Sequence, residues 1–60
     1  DTIQKEISKL PEKYRSVIVL RYIDELSLNE ISEILDMPLG TVKTRIHRGR
    51  DALKEQLKNV

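Results

Sequence analysis

A chain of 60 residues corresponds to one small domain that buries only about 60% of the surface of its unfolded form, which leaves no room for a deep substrate pocket and argues against an enzyme. With no cysteine, one histidine and no apolar run longer than four residues, the composition excludes disulfides and predicts no cofactor, no bound metal and no membrane insertion. The net charge of +1 is segregated: residues 1–36 carry five bases against eight acids, a net charge of −3, and residues 37–60 carry six bases against two acids, a net charge of +4.

Two helices are predicted in the first third of the chain. Ile3, Ile7 and Leu10 are spaced by four and three residues, which is typical of one face of a short helix that ends before Pro11. Pro11 suits the first turn of a second helix, which we expect to run to about Ile23. Apolar residues surround most of this second cylinder, which predicts a helix covered on several sides.

The third predicted helix begins with a capping box. Ser27 precedes Glu30 by three residues, so its hydroxyl can accept one free backbone N–H while the carboxylate accepts another. The helix is expected to end near Asp36, after which the chain turns within about three residues. We expect its buried face to consist of Leu28, Ile31, Ile34 and Leu35.

The fourth predicted helix spans about Leu39 to Lys58 and has two contrasting sides. Its inward side is predicted to carry Val42, Ile46, Gly49, Leu53 and Leu57, with Gly49 allowing close helix packing. At about 100° per residue, the opposite side is centred on Gly40, Thr44, His47, Arg48 and Asp51. Four cations fall between Lys43 and Arg50 with no acid among them, so this helix is predicted to present a concentrated basic surface.

Two helices joined by a tight turn, the second with exposed bases and hydroxyls, are typical of a helix-turn-helix that places one helix in the DNA major groove. We predict base-edge contacts by Thr41, Lys43, Thr44, His47 and Arg48. We predict phosphate contacts by Gly40, Arg45 and Arg50, which lie at the start and on the flanks of the helix. For His47, an ordinary surface role and a base contact both stay open.

Several longer stretches occur together along the chain. They are Leu10-Pro11-Glu12-Lys13-Tyr14-Arg15, Leu20-Arg21-Tyr22, Ser27-Leu28-Asn29-Glu30-Ile31 and the continuous run from Gly40 to Arg50. In their order and spacing from Ile7 to Leu57, they resemble region 4, the C-terminal conserved region of bacterial sigma factors, and most of all its extracytoplasmic-function group. Agreement over almost the entire chain is far more specific than an isolated helix-turn-helix pattern.

Together with the four predicted helices, the resemblance implies an all-α domain with a helix-turn-helix, winged-helix-like but without a wing, over residues 1–60 of a longer cytoplasmic chain. It implies recognition of the −35 element in double-stranded promoter DNA, docking on the β flap of the RNA polymerase core, and control by an anti-sigma factor. Family members often have glycine and a Ser or Thr cap where this chain has Asp36 and Pro38. This departure predicts a less stable turn and helix start.

Two alternatives stay open at this point. The output domain of a response regulator also carries a Thr-Val-Lys stretch, here Thr41 to Lys43, but it usually lacks the Leu-Pro-Glu-Lys-Tyr-Arg opening. A helical protein-interaction module would instead use the apolar residues of the first two helices to bind a partner such as an anti-sigma factor.

Overall fold

Four helices follow one another in residues 2–58, the part of the chain described by the structure, which is a computed structural model. They are α1 (Thr2–Ser8), α2 (Glu12–Ile18), α3 (Leu28–Leu35) and α4 (Leu39–Lys58), with a π-helical turn, Val19–Ile23, extending α2. Residues 2–58 contain no strand, and the predicted all-α class with four helices is confirmed. The predicted domain limits at residues 1 and 60 lie outside the described residues. No helix between residues 2 and 58 is long and apolar enough to cross a membrane.

The core forms where α4 packs across the other three helices, with α2 as its main neighbour. Ile7 and Leu10 come from α1 and the turn after it, and Ile31 comes from the middle of α3. The complete set of buried apolar side chains among the described residues is Ile7, Leu10, Val17, Ile18, Ile31, Val42 and Ile46. Because α4 supplies its inner side to this core, its opposite side is left facing solvent.

Gly49 lies where the backbone of α4 rests directly on α2. A Cβ atom at this position would lie 2.9 Å from Ile18 Cγ1 and 3.3 Å from Tyr14 Cβ. Ile18 is itself 1% exposed and has no room to move aside. The close helix packing predicted for Gly49 is therefore confirmed.

The start of α3 carries the predicted capping box. The Ser27 Oγ accepts the Glu30 backbone N–H at 3.1 Å, and the Glu30 Oε1 accepts the Ser27 backbone N–H at 2.8 Å. The backbone N–H of Ser27, followed by its side chain, stabilises the carboxylate and lowers the pKa of Glu30 below its ordinary value. The local sequence therefore determines where this helix begins.

The end of α3 is a left-handed turn at Asp36, whose φ and ψ are 52° and 53°. The Asp36 N–H donates to the Glu33 carbonyl at 3.3 Å and the Met37 N–H to the Ser32 carbonyl at 3.1 Å, which is the Schellman pattern. The Ser32 hydroxyl also donates to the Met37 carbonyl at 2.6 Å. These bonds hold the short turn into α4 although aspartate lacks the freedom of glycine in this conformation.

The prediction for Ile34 is wrong, because its side chain is 59% exposed. Ile31 is fully buried, and Leu28 and Leu35 are half-buried on the same side of α3. At about 100° per residue, Ile34 is rotated about 60° around the helix axis from Ile31, in the direction opposite to Leu28 and Leu35. It therefore lies outside the face of α3 that packs on α4 and on the π-helical turn. A helix of eight residues that packs mainly on α4 and on the π-helical turn buries a narrower stripe than its apolar pattern suggests.

The end of the second predicted helix also differs from the expectation. Its helical path does extend to Ile23, but as a π-helical turn in which the Asp24 N–H donates to the Val19 carbonyl five residues earlier. Tyr22 is 50% and Ile23 45% exposed, so this turn is not covered on several sides. Val17 and Ile18, one turn earlier, are covered on all sides, as predicted.

Replacing Ser27 with alanine removes one half of the capping box and should lower the free energy of unfolding by about 1 kcal/mol in urea or thermal unfolding.

Because folding lowers the pKa of Glu30, the stabilisation by its carboxylate is present above the pKa of the unfolded group and is lost as the pH falls through the lower, folded pKa. The stability difference between the native chain and Glu30→Gln should therefore shrink over that acidic range. A difference that stays constant from neutral to acidic pH would contradict this role.

The two glycines of α4 should respond to alanine with opposite signs. At Gly49 the added methyl collides with Ile18, and overpacking of about 1 to 3 kcal/mol outweighs a gain in helix propensity of at most about 1 kcal/mol. Around Gly40 nothing lies within 4 Å, so only the propensity gain remains. Chemical denaturation should therefore find Gly49→Ala less stable, and Gly40→Ala at least as stable, as the native chain. Equal losses at both positions would refute this account of the packing.

Candidate nucleic-acid interface

The outer face of α4 collects the residues that the sequence singled out. The structure places all eight predicted site residues on this helix, and Thr41 and Arg45 are half-buried on its flank. The exposed members are Gly40, Lys43, Thr44, His47, Arg48 and Arg50. The helical spacing predicted for the outer face therefore agrees with the structure.

One shallow depression runs along the flank of α4 that faces α2; we call it the Lys13 depression. It has a volume of about 300 Å³ and is lined by Lys13, Tyr14, Gly40, Thr41, Thr44, Arg45 and Arg48. The Lys13 ammonium lies 5.2 Å from the centre of the Tyr14 ring, within the range of a cation–π contact. Three cations from two helices thus converge beside the outer face.

A second depression lies on the other flank of α4 and is called the Arg21 depression. It has a volume of about 280 Å³ and is lined by Arg21, Tyr22, Leu28, Lys43, Ile46, His47 and Arg50. The guanidinium of Arg21 donates to the Leu26 carbonyl at 2.9 Å, which orients it at the end of the π-helical turn. This flank also carries three cations, so the two sides of α4 are similar in charge.

Lys13 and Arg21 were not among the residues that the sequence singled out. Both belong to the segment whose net charge is −3, and no motif of that segment connects them with α4. The packing of α2 on α4 brings Lys13 beside the outer face, and the π-helical turn that extends α2 brings Arg21 there. Their sequence signal is that both lie in stretches that carry the family resemblance, Lys13 in Leu10 to Arg15 and Arg21 in Leu20 to Tyr22.

Thr44 has part of its hydrogen-bonding capacity already occupied. Its hydroxyl donates to the Gly40 carbonyl at 3.0 Å, one turn earlier in α4. A hydroxyl has one donor and two acceptor lone pairs, so the methyl group and the acceptor lone pairs remain for a ligand. Thr44 can therefore contact a thymine methyl group or accept from a base amino group.

An apolar groove lies between α1, the π-helical turn and the C-terminal half of α4. It has a volume of about 390 Å³, and Ile3, 49% exposed, forms part of its wall. The remaining lining residues are Ile7, Ile18, Tyr22, Arg50, Leu53, Lys54 and Leu57. Tyr22 and Arg50 also line the Arg21 depression, so the apolar and the basic surface adjoin each other.

The tight turn between α3 and α4 and the basic outer face of α4 define a helix-turn-helix domain. The chain belongs to the family described as sigma-70, region 4, whose model matches residues 1–53. The resemblance to this region is thereby confirmed, and the relatives that follow confirm the resemblance to the extracytoplasmic-function (ECF) group.

Three relatives illustrate the similarity. The chain is 70% identical over its full length to the ECF RNA polymerase sigma factor SigW of Bacillus subtilis, of which it covers 32%. It is 42% identical over 95% of its length to the RNA polymerase sigma factor YlaC of the same species, covering 33% of that protein. It is 45% identical over 88% of its length to the ECF RNA polymerase sigma-E factor of Escherichia coli, covering 28%. The chain spans about a third of the length of the curated relatives it matches.

Proposed function

We propose that this chain recognises the −35 element in double-stranded promoter DNA as region 4 of a sigma factor that directs RNA polymerase in transcription initiation. The observation that carries the proposal is the outer face of α4, where Lys43, Thr44 and Arg48 are exposed and contribute to two depressions that have three cations each. The family match over residues 1–53 supports the same function and favours it over the output domain of a response regulator.

The N-terminal half of α4 is the part that we place in the major groove. The groove is about 12 Å wide and accepts one helix. Lys43 and Arg48 are long donors that suit the O6 and N7 acceptors of guanine, and Thr44 offers its methyl group to thymine. Gly40 has no side chain and nothing within 4 Å of its missing Cβ, so a DNA backbone can approach the N–H groups of the first turn.

The flanking cations other than Lys43 and Arg48 are assigned to the phosphates. A helix in the groove has one DNA strand on either side, and these four cations are divided equally: Lys13 and Arg45 line one depression, and Arg21 and Arg50 line the other. Phosphate contacts fix the register of the helix without reading sequence. We therefore add Lys13 and Arg21 to the phosphate contacts proposed for Arg45 and Arg50.

The apolar groove supports a second role in protein docking. Half-exposed Ile3 and Tyr22 line it together with the cations Arg50 and Lys54, a combination that suits an apolar segment with acidic neighbours. We propose that the β flap of the RNA polymerase core docks there, and that an anti-sigma factor competes for the same surface.

Base recognition should be lost selectively when the donors of the outer face are removed. Arg48→Ala and Lys43→Ala should each weaken binding of the preferred −35 duplex by about 1 to 3 kcal/mol and reduce discrimination between promoter variants. Lys58→Ala removes the same charge from the far end of α4, where Lys58 pairs with Glu55 at 3.4 Å, and serves as the matched control. If Arg48→Ala and Lys43→Ala both left the ranking of duplexes unchanged, this orientation of α4 in the groove would be wrong.

The phosphate contacts should show a different response. Arg50→Ala, Arg21→Ala and Lys13→Ala should weaken all duplexes alike, because these contacts carry no sequence information. Each should also reduce the magnitude of the slope of log affinity against log salt by about one unit, as one fewer counterion is released. Fluorescence anisotropy titrations over a salt series measure both effects. Binding that does not depend on salt would contradict the proposed function itself.

A further inference from the structure

The single histidine of the chain lies on the outer face of α4 beside an acid. The His47 Nε2 is 3.7 Å from the Asp51 Oδ2, and the two side chains are 76% and 64% exposed. Asp51 follows Thr44 by seven residues and therefore points to the same side of the helix. A carboxylate on a side that approaches a polyanion is repelled unless a neighbouring positive charge compensates it.

The charges around His47 come from two elements. The π-helical turn contributes Arg21 and the hydroxyl of Tyr22, and α4 contributes Lys43 and Arg50, while α3 adds only apolar Leu28 to the lining. Phosphates bound to these three cations would add negative charge beside the imidazole ring, next to the Asp51 carboxylate. A positive charge on His47 is therefore attracted from both sides in the complex.

We propose that His47 contacts DNA as an imidazolium paired with Asp51, so that binding of the duplex takes up one proton from solution. The inference rests on the proposed function, because that function places the outer face of α4 against DNA. A neutral imidazole has one N–H, whereas an imidazolium has two. Only the protonated ring can donate to Asp51 and to an acceptor on DNA at the same time, and it also cancels the charge of Asp51.

Proton uptake can be measured as a pH dependence of affinity at constant ionic strength. The probe is the −35 duplex preferred by the 60-residue chain, titrated by fluorescence anisotropy at pH 6.0 and 8.0. Histidine is the side chain whose ordinary titration falls in this range, and the chain has one. We expect severalfold tighter binding at pH 6.0, because uptake of a full proton on binding changes the affinity by up to about tenfold per pH unit.

Two variants locate the proton. His47→Gln should abolish the pH dependence. Asp51→Asn should bind more tightly at pH 8.0, because a repelled anion is removed, and should shift the remaining pH dependence to lower pH. Glu33→Gln removes one acid from a separate notch on α3 and is the matched control, which should behave like the native chain.

Equal affinity of the native chain at pH 6.0 and 8.0 would overturn the inference, and so would a full pH dependence in His47→Gln. An unchanged pH profile in Asp51→Asn would overturn the pairing. All three results would leave salt-dependent, Arg48-dependent binding intact, so they differ from failure of the proposed function, in which that binding is absent. Thermal unfolding at both pH values shows that the chain is folded in each titration.

Discussion

The close approach of α4 to α2 at Gly49 determines the direction in which the outer face of α4 points. Because the α4 backbone there lies against the buried side chain of Ile18, a larger residue would push the two helices apart. The same contact brings Tyr14 and Lys13 beside the first turns of α4, where they form one wall of a cationic depression. The basic surface is thus a product of helix packing, with the charges of α4 supplying only part of it.

One helix of 20 residues has to serve both the core and the proposed interface. Its inner side supplies Val42 and Ile46 to the core, and its outer side carries bases, so the two tasks are separated around the helix axis. The acids near the turn have structural roles in α3, because Glu30 caps its start and Asp36 lies at its end. Segregation of charge along the chain therefore becomes segregation in space, and the acids that α4 carries, Asp51 and Glu55, both lie in its C-terminal half.

Local signals in the sequence predicted most of the fold, and contacts between helices account for what they missed. The capping box and the apolar period predicted where α3 and α4 lie, because both depend on residues three or four positions apart. The exposure of Ile34 could not be predicted in the same way, because it depends on which neighbours pack on α3. Lys13 and Arg21 lie at the candidate site because of packing between elements, which a local pattern does not predict. No local pattern in the sequence predicts the π-helical turn.

The apolar groove and the Arg21 depression adjoin because the domain is small. Tyr22 and Arg50 line both, and the π-helical turn is the element that leaves Tyr22 half-exposed at their border. A carboxylate from a protein bound in the groove and a phosphate beside the outer face would both be attracted to the Arg50 guanidinium, which can satisfy the two only in part. In the proposed function, this side chain would therefore couple protein docking to DNA binding, and coupling of this kind acts equally in both directions.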